Sequence, residues 1–107
     1  MGEMDNLYII QSDKTGVVKV GRSGKVGRRL RELQTASSYK LRVILELEGM
    51  GYREREFHEI MSRERARGTG EWFNEAGLGL LPSWIYEQLA EDVIDGSWWR
   101  VDRDRGV

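Results

Sequence analysis

Two short runs of β-branched and aromatic residues stand near the start of the chain, Leu7–Gln11 and Val17–Gly21, separated only by Ser12-Asp13-Lys14-Thr15-Gly16. Polar residues closed by a glycine are turn chemistry, so the pair predicts an antiparallel β-hairpin. Two strands alone are marginal in water, and the segments that follow have to cover them. If the connecting loop is even-numbered, Leu7, Ile9, Val18 and Val20 share one face while Tyr8 and Lys19 share the other. One face would then bury and the other would present chemistry.

The following segments alternate helix and strand. Val26, Leu30 and Leu33 recur at helical spacing behind Ser23-Gly24, with Arg28, Arg29, Arg31 and Glu32 on the remaining surface. Leu41, Val43, Leu45 and Leu47 alternate with Arg42, Ile44, Glu46 and Glu48, a period of two that predicts a third strand with one strongly apolar face. Gly49-Met50-Gly51 ends it. Phe57, Ile60 and Met61 form a stripe within the charged segment Tyr52–Arg65, an amphipathic helix whose exit is marked by Gly68 and Gly70. Leu81-Pro82-Ser83 opens a last helix reaching Ile94, with Ile85, Leu89 and Val93 on a common face and Asp95-Gly96 as its stop. The stretch from Arg100 to Val107 is expected to be a loose tail. This order predicts an α+β fold: a small antiparallel three-stranded sheet flanked by helices, with a C-terminal helix. Residues 1–80 would form the main domain, and residues 81–107 a helix and acidic, Trp-rich tail on the same body.

With 107 residues the chain has room for one core, and 39% hydrophobic content with four Trp, four Tyr and two Phe is enough to build it. The absence of cysteine excludes disulfide scaffolds, thiolate nucleophiles and Cys-based zinc or iron–sulfur sites. No run approaches a membrane span, and the acidic N-terminus is unlike a signal peptide. The expectation is a cytoplasmic, intracellular protein with no membrane partner.

The formal net charge of −1 conceals an asymmetry: residues 1–13 carry −3, residues 14–67 carry +7 and residues 68–107 carry −5. Arg22, Lys25, Arg28, Arg29 and Arg31 concentrate the positive charge, and such a density attracts phosphate backbones. Two glycine motifs fail here. A phosphate-binding loop needs a glycine where Lys19 stands and Ser or Thr where Val26 stands, and Gly21, Gly24 and Gly27 have the wrong spacing for a dinucleotide fingerprint. Asp102, Asp104 and Gly106 begin a calcium-loop pattern that the chain does not complete. His58 is the only histidine, so a metal here would have to rely on carboxylates. Glu54 and His58, four apart on one helix, project together, and with Tyr8, Lys19 and Arg29 they could converge on one phosphate.

In this order the residues resemble the GIY-YIG nuclease superfamily, especially its branch found in many phage proteins and in a meiotically up-regulated fungal protein. Asn6-Leu7-Tyr8 stands for the first half-motif and Lys19-Val20-Gly21 for the second, followed by Arg29-Leu30, Leu33-Gln34-Thr35, Glu54 to His58, and Gly70-Glu71-Trp72-Phe73. The resemblance covers Leu7 to Phe73. It implies metal-dependent hydrolysis of a DNA phosphodiester. Glu54 would hold one Mg²⁺ (or Mn²⁺), Arg29 would clamp the scissile phosphate, Tyr8 or Lys19 would orient or deprotonate the attacking water, and His58 would support Glu54. Arg22, Lys25, Arg28 and Arg31 would bind the DNA strand. A one-site nuclease cuts one strand at a time, so duplex cleavage implies a homodimer or sequential nicking. Two departures stand out: Asn6 replaces the leading glycine and Lys19 the second tyrosine, the latter common in this branch. Glu56 lies about 200° from Glu54 around an ideal helix, so only one of them faces the site. Asn74 is a further position matching the family's late Asn. Trp72 and Phe73 are expected in the core, and Trp84, Trp98 and Trp99 in burial of the last helix rather than base stacking. Two rival readings are a catalytically inactive nucleic-acid-binding module of the same fold and a protein-interaction module using the acidic tail.

Overall fold

The hairpin forms with the expected facing. In a computed structural model, which describes residues 5–64 and 72–89, β1 (Asn6–Ser12) runs antiparallel to β2 (Val18–Ser23), with Tyr8 opposite Gly21 and Ile10 opposite Lys19. Gln11 pairs with Val18, so the connection is the even-numbered stretch 12–17. Gly16 turns it at φ 78°, a left-handed conformation that costs glycine little, and Gln11 Nε2 donates to the Gly16 carbonyl at 2.8 Å.

β3 (Leu41–Leu47) flanks β1, and the short β4 (Trp72–Phe73) pairs with β2, giving the antiparallel order β3-β1-β2-β4. The α+β architecture is as expected, and the sheet gains a fourth strand. Two residues are too few for alternation to announce a strand.

The single apolar face expected for β3 is corrected by a bulge. Ile9 faces Leu45 and Ile10 faces Val43, which leaves Ile44 as an extra residue and turns the two halves of the strand to opposite sides. Leu41 and Val43 join Tyr8 and Ile10, whereas Ile44, Leu45 and Leu47 join Leu7 and Ile9. Both faces of this sheet are covered, so either one accepts leucine, and hydrophobicity alone does not set the facing.

The first cover is α1 (Val26–Thr35), which lays Val26, Leu30 and Leu33 over Tyr8, Ile10 and Leu41. Ser23 Oγ accepts the Lys25 N–H at 3.0 Å just ahead of it. On the other face, α2 (Glu54–Met61) buries Phe57 and Met61 against Leu7, Ile9, Val18 and Val20. The expected Tyr52–Arg65 helix is thus an α-helix between two 3-10 turns, Gly51–Arg53 and Ser62–Glu64. A further 3-10 stretch, Glu75–Leu80, leads to α3 (Ser83–Tyr86), and Leu81, Ile85 and Leu89 complete the same core. α3 is shorter than expected because the Gln88 and Leu89 amides bond three residues back, to Ile85 and Tyr86, instead of four. Val93, Trp98, Trp99, the tail, Gly68 and Gly70 lie outside the described residues. Among those described, no helix is long and apolar enough to cross a membrane.

Candidate functional site

Three segments meet at one end of the sheet: the start of β1, the end of β2 and the turn into α2. The Gly51 N–H donates to the Asp5 carbonyl at 2.8 Å, and a Cβ on Gly51 would stand 2.8 Å from that oxygen and 3.0 Å from Arg22 Cβ. Only glycine fits so close an approach. Asn6 braces the same corner: its Oδ1 accepts the Gly49 N–H and its Nδ2 donates to Glu46 Oε2, both at 2.9 Å. This closure delivers Glu54, the first residue of α2, to Arg22. The Arg22 Nε lies 4.0 Å from Glu54 Oε1 and 4.0 Å from Asp5 Oδ2. Asp5 belongs to no motif in the sequence, yet the hairpin register carries it: Asn6 opposite Ser23 puts Asp5 beside Gly24.

Glu54 and Glu56 separate as helical geometry requires. Glu56 turns to solvent, where Arg53 donates to it through Nε at 2.9 Å and Nη2 at 2.8 Å. That hydrogen bond, helped by the attraction between the two charges, holds the Glu56 carboxyl below its usual range and Arg53 above its own. Arg53 also lies over the Trp84 ring at 5.2 Å. Trp84 is 43% exposed, against the expectation of burial. Ile85 and Leu89 fill the core beneath α3 and turn Trp84 outward.

Beyond Arg22, the chain leads directly to the cations of α1. Ser23, Lys25, Arg28, Arg29 and Glu32 line a depression of 160 Å³, in which Glu32 pairs with Arg28 at 3.6 Å and Arg29 at 3.5 Å. Among the described residues no side chain caps α1, and its first turn carries no acid, so the positive end of the helix adds to these cations. Arg31 is exposed on the same helix. The arginine that meets Glu54 is therefore Arg22, while Arg29 belongs to the α1 depression.

The Tyr8 face is not the open face expected. α1 covers it, and Tyr8 is 1% exposed with its ring across Gly21, where any Cβ would collide with the phenol oxygen. Lys19 is half-buried, with Nζ 6.0 Å from the centre of the Trp72 ring, its neighbour across β4. His58 Nε2 bonds the Val20 carbonyl at 2.8 Å. A carbonyl only accepts, so Nε2 carries the proton. The imidazole also rests on Phe73, ring centres 5.5 Å apart, and so ties α2 to both β2 and β4. Phe73 is fully buried and Trp72 partly so. Asn74 is exposed.

No curated protein and no solved structure matches the chain. The T5orf172 domain does, over residues 6–99, which takes in every site residue above except Asp5 and extends well past Phe73. The chain belongs to the T5orf172 domain family, a phage-associated, nuclease-related domain.

Proposed function

We propose that the protein is a small divalent-metal-dependent DNA endonuclease that hydrolyses phosphodiester bonds in the manner of the GIY-YIG nucleases. The observation that carries this reading is the continuity of charge along the end of β2: Glu54 against Arg22 on the α2 side, then Ser23, Lys25, Arg28 and Arg29 on the α1 side. A carboxylate beside a cationic track suits a reaction that must hold a polyanion and also break it.

Among the described residues no group of three or more His, Cys, Asp and Glu is gathered for a metal, which disfavours an all-protein cage. Mg²⁺ does not need one, since it binds through one or two carboxylates and keeps several waters. The part-exposed Glu54, a hard oxygen donor, fits such an ion, with Asp5 as the next carboxylate across Arg22. When bound, the cation would supply charge stabilisation to the oxygen leaving phosphorus.

The chain's own residues do the rest. Arg29, with Arg28 and Lys25, grips the strand's phosphates, and Arg22 and Arg31 extend the grip. The water oxygen bonds to phosphorus as one phosphorus–ester oxygen bond breaks, and the departing oxygen takes up a proton. Of the two candidates for orienting and deprotonating the water, Lys19 has the greater exposure and Tyr8 forms the floor beneath Gly21. His58 holds β2 and α2 in register, supporting Glu54 through the helix they share.

The test is supercoiled-plasmid nicking by purified protein with Mg²⁺, Mn²⁺ or EDTA. The expected outcome is nicking with either metal and none in EDTA. No nicking, together with a salt-sensitive gel shift, selects the inactive binding module.

A further inference from the structure

A second cavity, of 470 Å³, lies on the α1 side between the hairpin loop, the C-terminal end of α1 and the segment leading into β3. Val17, Leu33, Leu41, Trp72 and Tyr39 supply its apolar and aromatic lining, and Ser12, Thr15, Ser37 and Ser38 bring polar groups to it. Tyr39 is 46% exposed. Its placement is fixed by Gln34, whose Nε2 donates to the Tyr39 carbonyl at 2.9 Å while its Oε1 accepts the Leu41 N–H at 2.8 Å. Ser37 Oγ also bonds both the Tyr39 carbonyl and the Tyr39 N–H, and the Asp13 N–H donates to the Lys40 carbonyl at 2.9 Å. Both ends of the Gln34 amide thus serve to hold the loop around Tyr39. Gln34 belongs to the Leu33-Gln34-Thr35 segment, to which phosphate chemistry gives no role.

The surroundings indicate an occupant. Lys14 and Lys40, both exposed, adjoin the lining residues Thr15 and Tyr39, and Lys19 lies over the Trp72 ring. An aromatic-lined cavity with hydroxyls, and with exposed lysines next in sequence to its lining residues, suits a flat heterocycle attached to a phosphate chain. We propose that this cavity takes one unpaired nucleobase of the bound DNA, with Tyr39 and Trp72 as its aromatic contacts and Lys14 and Lys40 meeting the flanking phosphates. The inference rests on the DNA-nuclease reading above and adds a preference: sites where a base leaves the stack cheaply, as at a mismatch, are bound better than paired duplex.

Fluorescence anisotropy in EDTA, where no metal supports cutting, measures this on a fully paired duplex and on the same duplex with one mismatch. Wild type is expected to bind the mismatched duplex about tenfold more tightly, as one base–aromatic contact provides. Tyr39→Ala, which removes an aromatic contact, and Ser38→Trp, which fills the cavity, are expected to abolish that preference while leaving paired-duplex affinity and thermal melting unchanged. Equal binding of both duplexes by wild type, or a preference that survives in both variants, overturns the base pocket and leaves the nuclease reading standing. Failure of wild type to bind any DNA overturns both.

Discussion

The two faces of the sheet differ in how completely they are closed. On the α2 face, Leu7, Ile9, Val18, Phe57, Met61, Phe73 and Ile85 are each at most 1% exposed, and Leu47, Met50 and Ile60 are partly covered at the margin of this larger buried cluster. On the α1 face, Tyr8, Ile10, Val26 and Leu41 are buried, but Leu30, Leu33, Val43 and Trp72 are only partly covered, and a cavity opens beside them. The first face carries the apolar area that holds the domain together. The second carries the cations of α1 and, among the described residues, the depressions of 160 and 470 Å³. The end of β2, where Arg22 meets Glu54, is the seam between them. In a domain this small the faces differ in kind: one is closed by apolar packing, and the other keeps the open surface that the proposed function uses.

The largest expected effect is on the closed face. Phe57→Ala should cost about 3–5 kcal/mol in denaturant unfolding, the usual loss for a buried aromatic. Leu33→Ala on the open face should cost only about 1 kcal/mol, as for a half-covered side chain, and equal losses at the two sites would break the comparison. At the seam, Gly51→Ala drives a Cβ into the Asp5 carbonyl and should cost about 1–3 kcal/mol. Cleavage should fall further than that lost stability explains, because Glu54 moves with the turn. Gly21→Ala meets the Tyr8 phenol, so a double-mutant cycle of Gly21→Ala with Tyr8→Ala should return a coupling of about 0.5–3 kcal/mol, the clash vanishing with the ring. The smallest effect belongs to Arg53 and Glu56. Because Glu56 is held below its usual range, its contribution is present above that range and fades as pH falls through its lowered value. Glu56→Gln should remove a slight acid-side loss in the melting curve, and added salt should mask it.

Much of this arrangement is legible in the sequence where one local rule decides it. The facing of the hairpin follows from alternation and an even loop, α1 from Val26, Leu30 and Leu33, and the separation of Glu54 from Glu56 from the angle between them, although the angle does not choose between the two. What is hidden depends on contacts between distant segments. The bulge at Ile44 is invisible because leucine suits either covered face, and β4 because two residues hold no pattern. Tyr8 reads as presented until α1 is laid over it, and Trp84 reads as buried until Ile85 and Leu89 take the core. Arg22 as the partner of Glu54 needs three segments brought to one corner by Gly51, a glycine that reads from sequence only as the end of a strand.

The central claim is that the carboxylate at this seam performs chemistry rather than holding the fold, and Glu54→Gln tests it most directly. Plasmid nicking with Mg²⁺, a gel shift on the same DNA and a thermal melt should be run on wild type and variant together. The account predicts that nicking is lost while DNA affinity and melting temperature stay close to wild type, since Glu54 is part-exposed and its pairing with Arg22 is long. Nicking by the variant at the wild-type rate would contradict it.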